Sequence, residues 1–449
     1  MTVFRLTDRY QLTMLAAYAE HDLADRRAVF ELFVRKLPPS RRYLVACGIG
    51  RAMSALSSLV IDDAEVARLA ADPFFRSALE RPKVRALFEG FRFRGRVHAV
   101  PEGRICFPGE PLIRVEGTLA EAQLVETLLL SIVNHDTRIA SKCARIVQAA
   151  AGRPVYEFGS RRTHELAAVD AARAAFVAGF AGTSNEEANA RHGVPIAGTM
   201  AHSFVLAYAA DHGEDGEALA FQAMADTFPA RPTFLVDTFD TSRGVDRAIA
   251  VAGAHLGGVR IDSGDLDALT RDARARLDAA GLADARVFLS DDLDEHRIDA
   301  LVRAGAPVAS FGVGTMAVAT PDAPTLGAVY KLVAMEDARG RMVAVQKRSP
   351  GKGSSAAIKQ VFRNAGNLVD VVSLDGEAGG GEPLLVPIAA DDAGDLAAAR
   401  ARLANDLAIA PPSLVSLAPR AEGETYPVTM SPRLAEVQAR AATHGRAEI

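Results

Sequence analysis

Residues 257–265 read Gly-Gly-Val-Arg-Ile-Asp-Ser-Gly-Asp, a short apolar segment followed by a compact polar loop. The valine and isoleucine are typical of a buried β-strand, and the bend at Ser263 and Gly264 brings backbone amides together in a way that suits an anion. Residues 309–315, Ala-Ser-Phe-Gly-Val-Gly-Thr, have a similar arrangement of apolar strand, glycines and hydroxyl group. Two such strand ends in one chain predict a phosphorylated ligand at the carboxyl-terminal rim of a parallel barrel.

The segment from residue 154 to about residue 335 alternates short apolar stretches with helical ones. Seven of these stretches have the composition of buried strands: 155–158, 181–183, 198–200, 233–236, 258–261, 285–289 and 308–311. Repeated strand-then-helix units are typical of a parallel sheet, and close spacing favours a (β/α) barrel over an open sheet. Neither a Gly-x-Gly-x-x-Gly motif nor a Walker loop occurs, which argues against open-sheet nucleotide folds. We therefore predict an α/β protein with an irregular or incomplete parallel barrel.

The two ends of the chain have a different pattern from its middle. Residues 1–150 mix helices with strands and include a small β-rich unit at 92–118, where glycines and prolines mark tight turns. Residues 151–335 form the predicted barrel, which is the expected catalytic domain. Because no long linker precedes residues 336–449, we expect this segment to pack back on the N-terminal region and to complete an α+β domain.

The composition narrows the classes of function. The chain has 449 residues, of which 49% are hydrophobic and 24% charged, enough for a large packed core. A net charge of −5 argues against a nucleic-acid-binding surface, and no apolar run approaches the ~18 residues that a membrane span needs. Cys47, Cys106 and Cys143 lie far apart without metal-ligand spacing, which is typical of structural thiols in a reducing compartment. We expect a cytoplasmic protein with no nucleic-acid or membrane partner.

Polar residues follow the predicted strands, and in a barrel these strand ends meet at one pocket. Their arginines, carboxylates, hydroxyls and histidines suit a polyanionic, hydroxyl-rich substrate. Simpler explanations also exist. Arg161 and Arg162 would fit a salt-bridge cluster at a helix start, and Asp237 and Asp240 would fit helix caps, while the glycines of 309–315 would fit tight turns. A shared site is favoured because several strand ends carry such residues.

Several motifs together resemble the nicotinate phosphoribosyltransferase family, which has the type II phosphoribosyltransferase fold. The matching segments run through nearly the whole chain: 7–14, 157–162, 182–185, 198–204, 259–265, 311–315 and 359–361. The resemblance implies transfer of a phosphoribosyl group from phosphoribosyl pyrophosphate to nicotinate, giving nicotinate mononucleotide and pyrophosphate, the first step of NAD salvage from nicotinate. It further implies coupling to hydrolysis of ATP to ADP and phosphate, with Mg²⁺ as the cofactor that accompanies the phosphorylated substrates.

The same resemblance implies a role for each site residue. His202 corresponds to the histidine that ATP phosphorylates, and Asp237 and Asp262 correspond to groups that bind ribose hydroxyls or offset oxocarbenium charge. The implied nicotinate-binding residues are Tyr10, Phe158, Ser184, Thr199 and Arg260, of which the arginine grips the carboxylate and the two aromatic rings sandwich the pyridine. The implied ribose-phosphate residues are Arg161, Ser263, Gly264, Gly312, Gly314 and Thr315. Tyr10 would come from a second subunit, which implies a homodimer with shared active sites.

The segment Gly-Thr-Ser-Asn at 182–185 bears on the choice of pyridine. Related nicotinamide enzymes place an aspartate near the base to accept the amide N–H, and an aspartate there would repel a carboxylate. Its absence favours nicotinate over nicotinamide. The alternatives are a nicotinamide or quinolinate phosphoribosyltransferase, a sugar-phosphate lyase or isomerase that uses Asp237 and His202 for acid–base chemistry, and a catalytically silent relative that senses nucleotides.

One basic loop departs from the family pattern. Residues 352–359 read Lys-Gly-Ser-Ser-Ala-Ala-Ile-Lys, where the family leads us to expect Pro-Gly before the last lysine. The resemblance implies that the loop at 347–359 contacts phosphates of ATP or pyrophosphate. Because the sequence of this loop differs from the family pattern, any weakening of the coupling to ATP is expected to arise here first.

Overall fold

The structure is a computed structural model that describes residues 2–347, 355–364, 366–388, 395–421 and 423–449. These residues fall into two compact units: the first contains the chain up to residue 138 and from 325 to 449, and the second contains residues 139–324. The divisions lie at 138 and 325, whereas the sequence pattern predicts boundaries at 150 and 335. Most of the basic loop at 347–359 lies outside the described residues.

The N-terminal part of the chain, up to residue 149, mixes short helices with strands. Its strands are β1 Arg27–Val34, β2 Leu44–Val45, β3 Arg96–Ala99, β4 Ile105–Cys106 and β5 Pro111–Thr118. Its helices are α1 Arg9–Glu20, α2 Ile49–Ser57, α3 Asp63–Ala71, α4 Pro73–Leu79, α5 Pro82–Glu89, α6 Leu119–Leu124 and α7 Glu126–Ala149.

The middle part alternates strands with helices, as its sequence predicts. Its strands are β6 Val155–Glu157, β7 Gly182–Thr183, β8 Thr233–Leu235, β9 Gly258–Ile261, β10 Arg286–Leu289 and β11 Ser310–Val313. Its helices are α8 Glu165–Val177, α9 Glu186–His192, α10 His202–His212, α11 Gly216–Thr227, α12 Thr241–Ala252, α13 Leu266–Ala279, α14 Glu295–Arg303 and α15 Thr315–Ala319.

The C-terminal part returns to strands before it ends in two longer helices and a final strand. Its strands are β12 Ala328–Glu336, β13 Met342–Val345, β14 Lys359–Arg363, β15 Asp370–Leu374, β16 Glu382–Pro383, β17 Val386–Pro387, β18 Val428–Met430 and β19 Arg446–Glu448. The helices are α16 Leu396–Ala408 and α17 Pro432–His444.

The first unit is built on an antiparallel sheet with the strand order β17-β3-β5-β1-β12-β13-β19. β1 lies in the centre, and every residue of it except Arg27 is buried. β12, β13, β17 and β19 come from the C-terminal part of the chain. The prediction that this part and the N-terminal region build one α+β domain is therefore confirmed.

The second unit contains a parallel sheet with the strand order β7-β6-β11-β10-β9-β8. β7 and β8 form its two edges, so the described strands make an incomplete barrel, which confirms the predicted fold class. Side chains alternate between the two faces of each strand. Val259, Ile261 and Val287 lie on one face and are at most 1% exposed, whereas Arg260 and Phe288 lie on the other.

Two predicted strands differ from the structure. Residues 198–200 form no strand, and this prediction is wrong. Among the described residues, Ile196 makes a single bridge to Thr183, and the exposed Gly198 and Thr199 pair with no strand. The strand predicted at 308–311 instead runs from Ser310 to Val313, so Gly312 lies inside the sheet. Pairing of Gly312 with Tyr156 of β6 extends the strand beyond the predicted end.

The three cysteines are thiols in the interior of the protein. Cys47, Cys106 and Cys143 are buried and form no disulfide. Burial raises the pKa of the Cys106 thiol well above its usual value, which disfavours the reactive thiolate. In the part of the chain that the structure describes, no helix combines the length and the apolar character that crossing a bilayer requires.

Candidate active site

Two cavities lie along the parallel sheet. One borders the carboxyl ends of β6, β9, β10 and β11, and the other, which is larger, also borders the amino ends of β8, β9, β10 and β11. The larger has a volume of about 300 Å³ and is lined by Tyr156, Phe158, Ala197, Gly198, Thr199, Thr233, Gly257, Gly258, Arg260, Arg286, Phe288 and Ser310. The smaller has a volume of about 170 Å³ and is lined by Phe158, Arg161, Arg162, Arg260, Asp262, Ser290, Asp291, Asp292, Gly312, Gly314 and Thr315. Phe158 and Arg260 line both cavities.

Three hydrogen bonds hold the guanidinium of Arg260 in place. Its Nε donates to Ser290 Oγ at 2.8 Å, its Nη1 to the carbonyl of Met200 at 3.2 Å, and its Nη2 to Asp262 Oδ1 at 3.1 Å. The Ser290 hydroxyl also donates to Asp262. A guanidinium has about five N–H donors, so Arg260 is fixed in orientation and still keeps two donors for a ligand.

Asp237 connects the loop after β8 with the loop after β9. Its Oδ2 accepts from the backbone N–H of Asp262 at 2.9 Å and from the Ser263 hydroxyl at 2.7 Å. Its Oδ1 is buried and has no hydrogen-bond partner among the described residues. The alternative that Asp237 caps the next helix is wrong, since Asp240 caps α12 by accepting from the N–H of Arg243 at 2.8 Å.

His202 begins α10 and is partly exposed, so it starts a helix and does not end a strand. Its Nδ1 lies 3.1 Å from the Thr238 hydroxyl, and its Nε2 lies 3.9 Å from Asp237 Oδ1. The second distance is too long for a direct hydrogen bond. The imidazole is therefore oriented through Nδ1, while Nε2 faces a carboxylate oxygen that has no other partner.

Phe158 lies in a tightly packed part of the rim. Its ring centre is 5.9 Å from that of Phe288 and 5.7 Å from the guanidinium carbon of Arg260. A Cβ atom at Gly312 would lie 2.7 Å from the ring, and one at Gly314 would lie 2.9 Å from the Phe158 carbonyl. Both glycines are therefore needed for close packing, whatever else they contact.

The smaller cavity combines three arginines with three aspartates. Arg161 and Arg162 make no ion pair with any described residue, so the alternative of a salt-bridge cluster is wrong. Asp291 has a φ of 137°, a strained conformation for a non-glycine residue, and its carboxylate accepts from Arg297 at 2.9 Å. Cations beside carboxylates and amides suit a ligand with both phosphate and hydroxyl groups.

The remaining predicted residues differ in whether they line a cavity. Thr199 is exposed and lines the larger cavity. Ser263 and Gly264 lie in the exposed loop after β9. Gly264 has a φ of 90°, a backbone conformation that favours glycine over other residues. Ser184 is exposed after β7 and lines neither cavity. Tyr10 is on α1 of the first unit, with 48% of its surface exposed.

Two family models match most of the chain. The nicotinate phosphoribosyltransferase (NAPRTase) N-terminal domain matches residues 6–134, and the NAPRTase family model matches residues 154–374. The nicotinate phosphoribosyltransferase pncB1 of Mycobacterium tuberculosis is 49% identical over 362 residues, which cover 80% of this chain and 78% of the relative. This chain belongs to the nicotinate phosphoribosyltransferase family.

Two further members of the family agree with this assignment. The nicotinate phosphoribosyltransferase of Bacillus subtilis is 41% identical over 366 residues, 80% of this chain and 72% of the relative. The crystal structure of human nicotinic acid phosphoribosyltransferase matches with a TM-score of 0.80 at 27% identity, covering 97% of this chain and 99% of the other. The predicted family is confirmed.

The basic loop of this family member has an unusual C-terminal end. Ala357 has a φ of 77°, a conformation that favours glycine, at the point where the family pattern leads us to expect Pro-Gly. Lys359 is fully buried in the first unit, where its amine pairs with Glu31 at 2.7 Å. Its amine also donates to the carbonyls of Ser355 and Ala357, so this lysine anchors the chain and offers no surface charge.

Sequence reasoning missed several residues of the rim. Ser290, Asp291 and Asp292 follow β10 directly, and the rule that polar residues after a strand face the pocket would have found them. Ser290 was missed because its role depends on Arg260 in the neighbouring strand β9. The role of the Met200 carbonyl could not be predicted from the sequence, because every residue has a backbone carbonyl that can accept a hydrogen bond.

Proposed function

We propose that this chain transfers the phosphoribosyl group of phosphoribosyl pyrophosphate to the ring nitrogen of nicotinate at the rim formed by β6, β9, β10 and β11. Membership of the family supports the reaction, which begins NAD salvage from nicotinate. One observation carries the location: Phe158 and Arg260 line both the larger and the smaller cavity. A pyridine in the larger cavity and a phosphorylated ribose in the smaller one would meet at these two side chains.

Arg260 is the proposed partner of the nicotinate carboxylate. Its two remaining N–H donors suit a planar carboxylate, and its three hydrogen bonds to the protein reduce the entropy lost on binding. Phe158 offers a ring face beside the guanidinium, and Thr199 offers a hydroxyl group in the same cavity. No carboxylate is present in the segment 182–185 to repel nicotinate.

Asp237 and Asp262 are the proposed carboxylates for the ribose. As the bond from C1′ to pyrophosphate breaks and the bond from C1′ to the pyridine nitrogen forms, positive charge develops on the sugar, and fixed carboxylates would stabilise it. The buried Oδ1 of Asp237, which has no partner, fits either a ribose hydroxyl or Mg²⁺. Mg²⁺ bound with the substrates would neutralise the departing pyrophosphate. The described residues contain no cluster of three or more metal-binding side chains.

His202 is the proposed acceptor of the γ-phosphoryl group of ATP. The bond from phosphorus to the ADP oxygen would break as the bond to Nε2 forms, and water would later release the group as phosphate. The contact of Nδ1 with the Thr238 hydroxyl supports Nε2 as the nucleophile, because Nδ1 is already occupied by this contact. Asp237 Oδ1 lies 3.9 Å from that nitrogen, and Asp237 Oδ2 accepts from the backbone N–H of Asp262 in the loop after β9.

We further propose a cytoplasmic homodimer in which Tyr10 of the partner subunit covers the pyridine. The half-exposed Tyr10 ring supports this idea, since a large aromatic side chain on a helix surface suits a contact with another subunit. Three buried cysteines without disulfides are in keeping with a reducing compartment.

Side-by-side assays of three pyridines test the reaction. The purified chain is incubated with phosphoribosyl pyrophosphate, Mg²⁺ and either nicotinate, nicotinamide or quinolinate, with and without ATP, and mononucleotide and pyrophosphate are measured. We expect turnover with nicotinate and stimulation by ATP. A preference for either of the other pyridines would overturn the choice of substrate. A reaction without pyrophosphate release would support the lyase or isomerase alternative.

Labelling with ATP that carries a radioactive γ-phosphate tests the role of His202. We expect acid-labile label on the protein, complete loss of it in His202→Ala, and slow transfer without ATP stimulation in that variant. His212→Ala is the matched control, because His212 is exposed at the other end of the same helix. Unchanged labelling of His202→Ala would remove this residue from the mechanism.

A further inference from the structure

Glu157 is a buried carboxyl group that the proposed reaction does not use. It ends β6, is fully shielded from solvent, and makes no ion pair in the part of the chain that the structure describes. Burial raises the pKa of this carboxyl above its usual value. Burying an acidic side chain without a neighbouring cation costs free energy. The hydrogen bonds of Glu157 therefore indicate a role other than ion pairing.

Glu157 joins the loop after β6 to the end of β7. One of its oxygens accepts from the backbone N–H of Gly159, and the other accepts from the Thr183 hydroxyl at 2.6 Å. Thr183 Oγ1 accepts from the N–H of Asn185 at 3.1 Å, and Asn185 Nδ2 donates to Ser160 Oγ at 3.0 Å. The side chains of residues 157, 160, 183 and 185 therefore connect the two loops, and we name this set the loop clamp.

Phe158 lies between two residues of the loop clamp in sequence and has little freedom to move. Its N–H donates to the carbonyl of Val313 at 2.9 Å, and its ring packs against Gly312. The next residue is equally confined, since a Cβ atom at Gly159 would lie 2.5 Å from the Val318 side chain. A shift of the backbone at Gly159 would therefore move the Phe158 ring.

We propose that the loop clamp positions Phe158 against the pyridine and thereby sets the affinity for nicotinate, with Glu157 and Thr183 as positioning residues. This inference rests on the proposed function, because it requires Phe158 to contact the base. A phenyl ring has two rotatable bonds and cannot compensate for a displaced backbone. Arg161 in the same loop has a long, flexible side chain, which can compensate for such a displacement. The loop clamp therefore affects nicotinate more than phosphoribosyl pyrophosphate.

Substitution of Thr183 provides the test. Thr183→Val keeps the shape of the side chain but removes the donor to Glu157 and the acceptor for Asn185. We expect the KM for nicotinate to rise about tenfold, the change that a lost hydrogen bond to a carboxyl group produces, with kcat and the KM for phosphoribosyl pyrophosphate changed less than about twofold. Thr183→Ser keeps the hydroxyl and should restore the KM of the original protein.

The outcomes separate positioning from a purely structural role. A proportional rise of both KM values, an unchanged KM for nicotinate, or equal behaviour of the valine and serine variants would overturn the proposal. Ser160→Ala removes only the acceptor for Asn185 and tests the same idea if Thr183→Val fails to fold. We expect it to raise the KM for nicotinate by about threefold, and no change would again overturn the proposal.

The unsubstituted protein distinguishes this proposal from the one on which it rests. Nicotinate turnover is measured first, and its absence contradicts the proposed function irrespective of any variant. If turnover is present, Phe158→Leu shows whether the ring contributes to nicotinate binding. A large effect of Phe158→Leu without an effect of Thr183→Val would contradict the loop clamp alone.

Discussion

The charged groups of the two units differ in how completely they are paired. At the rim of the second unit, Arg260 keeps two free N–H donors and Asp237 keeps one oxygen without a partner. In the first unit, Arg363 is 2% exposed and makes four hydrogen bonds of 2.6–2.9 Å to Asp370, Asp406 and a carbonyl. Because an unpaired buried charge is costly, spare bonding capacity indicates a place for a ligand, and complete pairing indicates a structural role.

The same distinction occurs within the second unit. Lys142, Arg145 and Glu295 form a cluster in which each side chain is at most 3% exposed. The carboxylate of Glu295 accepts from both cations, and Lys142 also lies 3.2 Å from Asp322. The second unit therefore contains both a fully paired structural cluster and the candidate site. The difference between structural and ligand-binding charges lies in how completely they are paired, and does not depend on the unit in which they lie.

Arg363→Met should have the largest effect on stability. The substitution leaves Asp370 buried without Arg363 and leaves Asp406 with only its longer, 3.3 Å contact to Arg104. Losing one partner of a buried ion pair costs about 3–5 kcal/mol. We expect the free energy of unfolding, measured in urea, to fall by this amount, with the KM for nicotinate unchanged in the protein that remains folded. A change in KM without a loss of stability would break the comparison, because a completely paired group would then act on the ligand.

Arg260→Ala should have the opposite pattern. Loss of two charge-assisted hydrogen bonds to the nicotinate carboxylate corresponds to about 2–3 kcal/mol, or a rise in KM of roughly 30- to 150-fold. Arg260→Lys is the matched variant, since it keeps the charge but cannot form the planar pair, and it should recover only part of the affinity. An unaltered KM for nicotinate in the alanine variant would mean that the carboxylate binds elsewhere.

Glu295 should make stability depend on acid pH. Burial alone would raise the pKa of Glu295, but Lys142 and Arg145 lower it to about 2. Because the folded-state pKa is depressed, the stabilisation is present above the unfolded value near 4.5 and is lost as the pH falls towards 2. From about pH 4.5 to about pH 3 the free-energy difference between the original protein and Glu295→Gln should shrink by about 2 kcal/mol. A difference that does not change with pH would contradict this cluster.

Much of the fold was predictable because it is encoded locally. Most strands of the parallel sheet are short, largely apolar and followed by polar residues, and these features need no knowledge of distant residues. Residues 198–200 show the limit of prediction from local composition. Their composition resembles that of a strand, but they pair with no strand in the described part of the chain. Pairs such as Lys359 with Glu31 lie 328 residues apart, and nothing local in either segment indicates the partner.

The site was predictable to the extent that it follows strand ends. Phe158, Arg260 and Asp262 come directly after or within strands, and the structure brings them to one rim. Ser290, which orients Arg260, was missed because its value depends on the position of a side chain from the neighbouring strand. The proposed role of Glu157 was also not predictable from the sequence, because the pairing of β6 with β7 brings its partner Thr183 to it.

Arg303→Met should have the smallest effect and serves as the control for Arg363→Met. Arg303 donates to Asp299 at 2.7 Å, a distance within the range of the Arg363 bonds, but 78% of its side chain is exposed. Water screens an exposed pair of this kind, and such pairs contribute roughly 0–1 kcal/mol. We expect the urea midpoint to change little. Suppose that this variant lost as much stability as Arg363→Met. The geometry of the hydrogen bond alone would then determine how much a charged side chain contributes to stability. The distinction between fully paired buried groups and solvated ones would have no energetic basis.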